Sequence, residues 1–307
     1  MAPIPEMDTI WMDGALVPWA DAKIHVLTHA LHYGSGVFEG IRAYKTERGT
    51  AVFRLEEHLK RLVRSAKLYY MPVPYTVEQL YDATFEVLES NRLDAGYIRP
   101  LIFRGYGEMG LNPMNAPVQA IIAAWPWGTY LGEEGIKHGV RAKTSSIQSL
   151  DHTALARAAK ATGQYLNSIL AKIEVLNAGY DEAIMLTEHG HVAEGSGENI
   201  FVVRNGVLMT PLPSDGVLEG ITREIVMQMA KAECIPFDER SLSRSDLVIA
   251  DEAFYTGTAA EIVPIREVDD HLIGEPGPIT RRMQARFKAI VEGRDEEFGH
   301  FMEYAKS

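Results

Sequence analysis

Apolar and polar positions repeat along this chain with periods of about 2 and about 3.6 residues, and each period marks a different kind of element. Ile10-Trp11-Met12 and Ala15-Leu16-Val17 flank Asp13-Gly14, the pattern of two short strands joined by a tight hairpin turn. Further strands are predicted over 37–44, 97–103, 118–124, 140–147, 182–187, 199–203 and 253–256. Asn205-Gly206 turns the strand ending at Val203 back into Val207-Leu208-Met209. The helical period appears first over 55–68, where Leu55, Leu59, Leu62 and Val63 share a face. Thr76 with Gln79 three residues on is a capping-box pattern, and Leu80, Ala83 and Val87 continue that helix. Leu166, Ile169, Leu170 and Ile173 mark a helix over 164–178 that Gly179 stops. Two more helices are predicted over 222–233 and 280–292. The stretch 25–33 is mixed, and a Gly- and Pro-rich loop covers 105–117.

Strands and helices mix in both halves without a strict strand-helix-strand rhythm, which predicts an α+β or mixed α/β fold. Residues 128–139 hold several glycines and few core-type side chains, so they read as a linker between a small α/β domain, 1–127, and a larger one, 140–307. The length of 307 residues agrees with two cores rather than one.

Composition narrows the function class. A hydrophobic fraction of 46% and a charged fraction of 23% are those of an ordinary globular chain. The 30 Lys plus Arg against 42 Asp plus Glu leave a formal charge of −12, with no basic block to offset it. Nucleic acid and anionic membrane are disfavoured as partners, since phosphate contacts need clustered Lys and Arg. A small anion needs only a local pocket. Cys234 is the single cysteine and is read as a packing residue, which excludes an internal disulfide and fits a cytoplasmic chain. Residues 1–13 lack a basic start and apolar run, so no secretory signal is expected, and no stretch approaches the roughly 20 apolar residues of a membrane span.

Five segments hold groups with chemical potential, and each also has a plain structural reading. Lys160 lies among small residues in Ala154-Leu-Ala-Arg-Ala-Ala-Lys-Ala-Thr-Gly-Gln-Tyr165, where a flat molecule would fit beside an amine; alone it reads as a surface lysine. Gly220-Ile221-Thr222 opens a helix and offers amides and a hydroxyl to an anion; alone it is an N-cap. Tyr255-Thr-Gly-Thr-Ala-Ala-Glu261 is either an amide-presenting turn or an ordinary one. Glu194-Gly-Ser-Gly-Glu-Asn199 sets two carboxylates around a turn, able to pair with a protonated ring nitrogen or simply solvated. Tyr97 and Arg99 share a strand face, a pairing suited to a carboxylate or to a structural ion pair.

Taken together, and in this order, these segments resemble the branched-chain amino acid aminotransferases, in the class IV group of pyridoxal-phosphate enzymes. The resemblance runs from about Ile10 to the last helix and rests on His29-Ala-Leu-His-Tyr-Gly34, Val37-Phe-Glu-Gly-Ile-Arg42, Tyr97-Ile-Arg-Pro100, Lys160, Glu194-Gly-Ser-Gly-Glu-Asn199, Gly220-Ile-Thr-Arg223 and Gly257-Thr-Ala-Ala-Glu261. Tyr97 and Arg99 with Phe38 and Gly40 are similar to the branched-chain subgroup rather than to D-amino acid or (R)-amine transaminases or aminodeoxychorismate lyase. A non-catalytic binding protein of the same fold is the alternative of another class, and the intact Lys160, Glu194 and Arg61 set speaks against it.

The resemblance implies a two-domain fold type IV, like that of D-amino acid aminotransferase. It implies pyridoxal 5'-phosphate as cofactor and no metal ion, with Lys160 holding the cofactor aldehyde as an imine and then moving a proton. Glu194 would pair with the pyridine nitrogen and Tyr165 with the phenolic oxygen. Arg61, Gly220, Ile221, Thr222 and Thr258 would hold the phosphate, and Leu218 would pack on the ring. Tyr97 with the amides of Thr258 and Ala259 would take the substrate α-carboxylate. Phe38, Tyr130 and Ala259 would line an apolar pocket. Arg99 would meet a γ-carboxylate, with Tyr33 and Leu111 supplied by a neighbouring subunit. The implied reaction transfers the amino group of L-leucine, L-isoleucine or L-valine to 2-oxoglutarate. The implied assembly is a homodimer as minimal unit, with a hexamer, a trimer of dimers, as the larger option.

Overall fold

A computed structural model describes residues 3–128 and 130–306, and the counts and absences stated below refer to those residues. The chain divides into two compact units, Met1–Trp127 with Ala159–Gln164 and Ile290–Ser307, and Gly128–Ala158 with Tyr165–Ala289. The C-terminal segment therefore belongs with the first unit, not with a domain running from 140 to 307 as expected. The short strand Met302–Glu303 pairs with an early strand of the first unit, and the Glu303 carboxylate accepts the Glu56 N–H at 3.1 Å.

In the first unit an antiparallel sheet collects β1 (Thr9–Met12), β2 (Ala15–Pro18), β3 (Gly36–Phe38), β4 (Ile41–Thr46), β5 (Gly49–Phe53), β6 (Gly96–Arg104) and β7 (Val118–Trp125). Asp13 and Gly14 turn β1 into β2 at φ 47° and 99°, the left-handed region that the hairpin requires. Helices α1 (His29–Tyr33), α2 (Leu55–Leu68) and α3 (Val77–Ser90) complete the unit. Leu55, Leu59, Leu62 and Ala66 of α2 share one core with Ile41, Ile98, Ile102 and Ile122 of the sheet. The capping box on α3 forms as its sequence predicts: Gln79 N–H donates to Thr76 Oγ1 at 3.2 Å, and Thr76 N–H to Gln79 Oε1 at 2.9 Å.

The single strand predicted over 37–44 is two strands. β3 and β4 both pair with β6, Phe38 opposite Leu101 and Ile41 opposite Ile98. Between them the partner is Pro100, which has no N–H to give, so the ladder lapses there and only Glu39 N–H to Pro100 O, 3.0 Å, bridges the gap. Gly40 completes the break. A Cβ at that position would lie 2.0 Å from the Tyr97 hydroxyl.

The second unit is built on a mixed sheet of β8 (Val140–Thr144), β9 (Glu182–Leu186), β10 (Val192–Gly195), β11 (Asn199–Arg204), β12 (Val207–Thr210), β13 (Phe237–Glu239), β14 (Glu252–Gly257), β15 (Glu261–Val268) and β16 (His271–Leu272). β15 went unpredicted because Pro264 interrupts its apolar run, yet Val263 and Ile265 are fully buried between β8 and β14. Helices α4 (Gly132–His138), α5 (Tyr165–Asn177), α6 (Ile221–Ala232) and α7 (Arg244–Val248) surround it, and α8 (Pro278–Val291) leads back to the first unit. Part of the expected linker, 128–139, is thus the helix α4. One packing expectation also fails. Cys234 is exposed at φ 55°, in the left-handed turn that ends α6, rather than packed. On α5 the apolar positions Leu166, Ile169, Leu170 and Ile173 are exposed, and the buried face is Ala171 and Val175. No helix is long and apolar enough to cross a membrane among the described residues.

Candidate active site

Each unit gathers its own set of the predicted site residues. In the first, the segment 159–164 is laid against β3. Phe38 N–H donates to Lys160 O at 3.0 Å, Val37 bridges Ala161, and Thr162 Oγ1 donates to Gly34 O at 2.8 Å. Gly34, at φ 64°, is required for this approach, since a Cβ there would come within 2.9 Å of Gly163 Cα. Lys160 N–H donates to Ser65 Oγ of α2 at 3.1 Å. The lysine backbone is therefore fixed on two sides, and its Nζ stands 5.1 Å from the centroid of the Phe38 ring.

Arg61, on the same helix as Ser65, is buried with Glu39. Its Nε and Nη2 donate to the two carboxylate oxygens at 2.7 and 2.8 Å. His58 Nδ1 meets Glu39 Oε2 at 2.8 Å. Burial alone would push the Glu39 carboxyl up, but the charge and hydrogen bonds of Arg61, aided by His58, hold it well below the usual carboxylate range. Burial pushes His58 down, so its ring is neutral and Nδ1–H donates to Glu39. Glu39 thereby fixes the plane of the Arg61 guanidinium. No role was expected for Glu39, His58 and Ser65, although a charged residue inside the apolar run Val37-Phe-Glu-Gly-Ile41 was a visible signal.

Glu39→Ala is expected to destabilise the folded chain by about 3–5 kcal/mol, because it leaves Arg61 buried without its counter-charge. The sign of the pH dependence follows from the held-down carboxyl. Its contribution is complete above the ordinary value of 4.5 and is lost as pH falls toward the folded value. The stability gap between wild type and variant, read by chemical denaturation, should be full at pH 7 and narrow below about 4.5. A gap that does not change with pH would count against an ionised Glu39.

Also in the first unit, Arg99 Nη2 donates to the Tyr97 hydroxyl at 3.1 Å, as their shared strand face predicts. The guanidinium carbon lies 4.7 Å from the Phe38 ring centroid and 5.2 Å from that of Tyr97. Arg99 Nε is buried with no hydrogen-bond partner, and no carboxylate of the described residues pairs with the group. The structural reading of Arg99 as half of an internal ion pair therefore fails. Tyr33 and Leu111 are exposed in this unit, Leu111 at 89%.

The second unit places Glu194 on β10. Its Oε2 accepts the Leu218 N–H at 3.1 Å and Asn199 Nδ2 at 3.3 Å, while its Oε1 accepts from Arg157 Nη2. Asn199 Nδ2 also donates to Leu218 O at 2.8 Å, so one amide ties the carboxylate to the segment leading into α6. Gly220, the N-cap of α6, makes room for that amide; a Cβ would sit 1.9 Å from Asn199 Oδ1. Ile221 and Thr222 are buried at the helix start. Thr256, at the end of β14 and two residues before Thr258, has a buried hydroxyl with no partner. Thr258 and Ala259 form the turn from β14 to β15, Tyr165 opens α5, and Lys172 Nζ lies 5.6 Å from the Tyr130 ring centroid. Behind the Glu194 turn, burial and the neighbouring charge of Glu182 push Glu198 up to about 8, whereas Glu182 itself meets Lys172 at 2.5 Å. Asn199, Thr256 and Arg157 were not singled out from the sequence.

These sets are chemically suited to an aromatic phosphate cofactor. A carboxylate braced by three donors can face a protonated ring nitrogen, and an amide-bearing helix start whose N-cap must be glycine suits an anion.

Residues 36–268 match the profile of the family described as Amino-transferase class IV. The chain is 47% identical over 289 residues to a branched-chain-amino-acid aminotransferase of Pseudomonas aeruginosa, covering 94% of each. It superposes on the crystal structure of the Escherichia coli branched-chain amino acid aminotransferase with a TM-score of 0.96 at 44% identity, covering 98% of this chain and 100% of that one. The branched-chain amino acid aminotransferase from Thermobaculum terrenum, solved in its PLP-form, gives a TM-score of 0.92 at 33% identity, over 98% of this chain and 99% of that one.

Proposed function

This chain belongs to the class IV aminotransferases, and on that premise we propose that it is a pyridoxal-phosphate-dependent transaminase of branched-chain amino acids. It exchanges the amino group of L-leucine, L-isoleucine or L-valine with 2-oxoglutarate. The observation that carries the substrate class is the Phe38, Tyr97 and Arg99 cluster, in which a cation without a carboxylate partner is packed against aromatic rings. Such a wall accepts an aliphatic side chain against the guanidinium stem, or a carboxylate at its tip.

When bound, pyridoxal phosphate supplies a ring that delocalises the electron pair left as the substrate Cα–H bond breaks. The residues of the chain do the rest. Lys160 Nζ holds the cofactor and carries the proton taken from the substrate Cα. Glu194, whose carboxylate accepts from three donors, would hold the proton at the ring nitrogen. Tyr165 would donate to the phenolic oxygen, and Leu218 would pack on the ring. Arg61, fixed in plane by Glu39, binds the phosphate with Gly220, the Ile221 N–H, Thr222 and Thr258. Tyr97 and the amides of Thr258 and Ala259 take the α-carboxylate. Phe38, Tyr130 and Ala259 enclose the side chain.

The same reading makes the enzyme a cytoplasmic homodimer or a larger multiple of it, with Tyr33 and Leu111 of one copy reaching the Arg99 of another. Exposed apolar side chains support self-association: Tyr33, Leu31 and Leu111 in the first unit, and the α5 stripe Leu166, Ile169, Leu170, Ile173 and Leu176 in the second.

An amino-donor panel against 2-oxoglutarate, using both enantiomers, tests the assignment, and Arg99→Ala tests its basis. The variant should lose far more of the glutamate half-reaction than of the leucine half-reaction. The γ-carboxylate loses a charge-assisted partner while leucine loses only packing, a difference of roughly ten- to a hundredfold in single-turnover rate. Equal losses would assign Arg99 to the α-carboxylate common to both donors.

A further inference from the structure

Arg157 stands three residues before Lys160, inside an alanine-rich segment, and its guanidinium is held at both ends. Nε donates to Gly216 O at 2.9 Å, and Nη2 donates to Glu194 Oε1. Both side chains are nearly buried, with 10% of Arg157 and 13% of Glu194 exposed. Glu194 Oε2 is meanwhile occupied by Asn199 Nδ2 and the Leu218 N–H. A carboxylate anchored at both oxygens cannot turn about its last bond without breaking one set of contacts, and one of the two anchors carries a full charge. Glu198 also faces Glu194, but burial and the charge of Glu182 push its carboxyl up to about 8, so below pH 7 it is mostly uncharged and adds little repulsion.

We propose that Arg157 is a positioning residue that keeps the Glu194 carboxylate ionised and fixed in orientation, so that the shared proton rests on the cofactor ring nitrogen and not on Glu194. The inference rests on the assignment of Glu194 to that nitrogen. The physical reason is distance. Arg157 touches the carboxylate, while the ring nitrogen would stand beyond it, so the arginine lowers the proton affinity of the carboxylate more than that of the ring. Asn199 and the Leu218 amide give direction without charge and cannot do this alone. A merely structural Arg157, tying its segment to Gly216, would leave the proton where it is.

The test uses the full-length chain with 13C-labelled glutamate carboxyls, the Glu194 resonance being assigned by its loss in Glu194→Gln. In protein stripped of cofactor, Arg157→Met should raise the titration midpoint of Glu194 by about 1–3 pH units, and Arg157→Lys should restore most of the difference. Glu198, pushed up to about 8, stays neutral below pH 7 and does not disturb this titration. With 15N-labelled pyridoxal phosphate bound, the ring-nitrogen resonance should move in Arg157→Met from the pyridinium toward the pyridine range. If Arg157→Met does not fold, Arg157→Gln, which keeps donors and drops the charge, carries the same expectation. An unchanged Glu194 midpoint in the neutral variant overturns the proposal. A raised midpoint with an unmoved ring-nitrogen signal instead overturns the pairing of Glu194 with the ring.

Discussion

Lys160→Ala is expected to abolish transamination and to leave no cofactor mass on the protein after borohydride reduction. Reduction of the wild type should add the phosphopyridoxyl group to Lys160 alone. The reason lies in how the three candidate amines are held. Lys172 donates to Glu182 at 2.5 Å and to the Asp181 carbonyl at 2.7 Å, bonds that a covalently linked nitrogen would lose. Lys143 is drawn toward Asp269 at 4.0 Å. Lys160 instead stands between Ala159 and Ala161, over the Phe38 ring, on a backbone pinned to β3 and to Ser65. Small neighbours leave space for a planar ring, and a fixed backbone limits the arc that Nζ can sweep. Peptide mapping of the reduced protein decides the matter, and label on Lys143 or Lys172 would sink the assignment.

Glu194→Gln should retain the cofactor but lower turnover on the order of a hundredfold, the scale of a lost charge-assisted hydrogen bond at the reacting system. The substituted amide is neutral and cannot favour a protonated ring nitrogen. It must also turn its NH2 toward Arg157 or toward the Leu218 N–H, both of which are donors. The phosphate contacts assigned to α6 are left intact, so binding should survive. The separation of affinity from turnover is the informative result. Near-normal turnover with bound cofactor removes Glu194 from this role, and loss of both would make it structural.

Some of this was legible in the chain and some was not. Local rules held where the determinant was local. The Asp13-Gly14 and Asn205-Gly206 turns, the Thr76 capping box and the extent of α2 follow from residues within a few positions of one another. The shared face of Tyr97 and Arg99 follows from strand alternation alone. The motif set carried the family, because packing alone rarely places so many reactive side chains in one fixed order. Local rules failed where the determinant was a partner strand. The break between β3 and β4 belongs to Pro100, some sixty residues further along the chain, which cannot donate to the ladder. The strand β15 holds Pro264 in its core, against the local preference.

Read from the chain alone, Lys160, Glu194 and Arg99 stand out by residue type and setting, and Arg61 only through the family resemblance. What holds them comes from contacts between distant segments. Glu39 and His58 brace Arg61, and Arg157 and Asn199 brace Glu194, through bonds between residues 5 to 37 positions apart. Periodicity found α5 and its apolar stripe but not which way the stripe faces, because a helix shows the same 3.6-residue pattern whether its apolar face meets its own core or another chain. Side-chain identity is written residue by residue, whereas support and burial arise from packing distant segments together, which no short window of sequence contains.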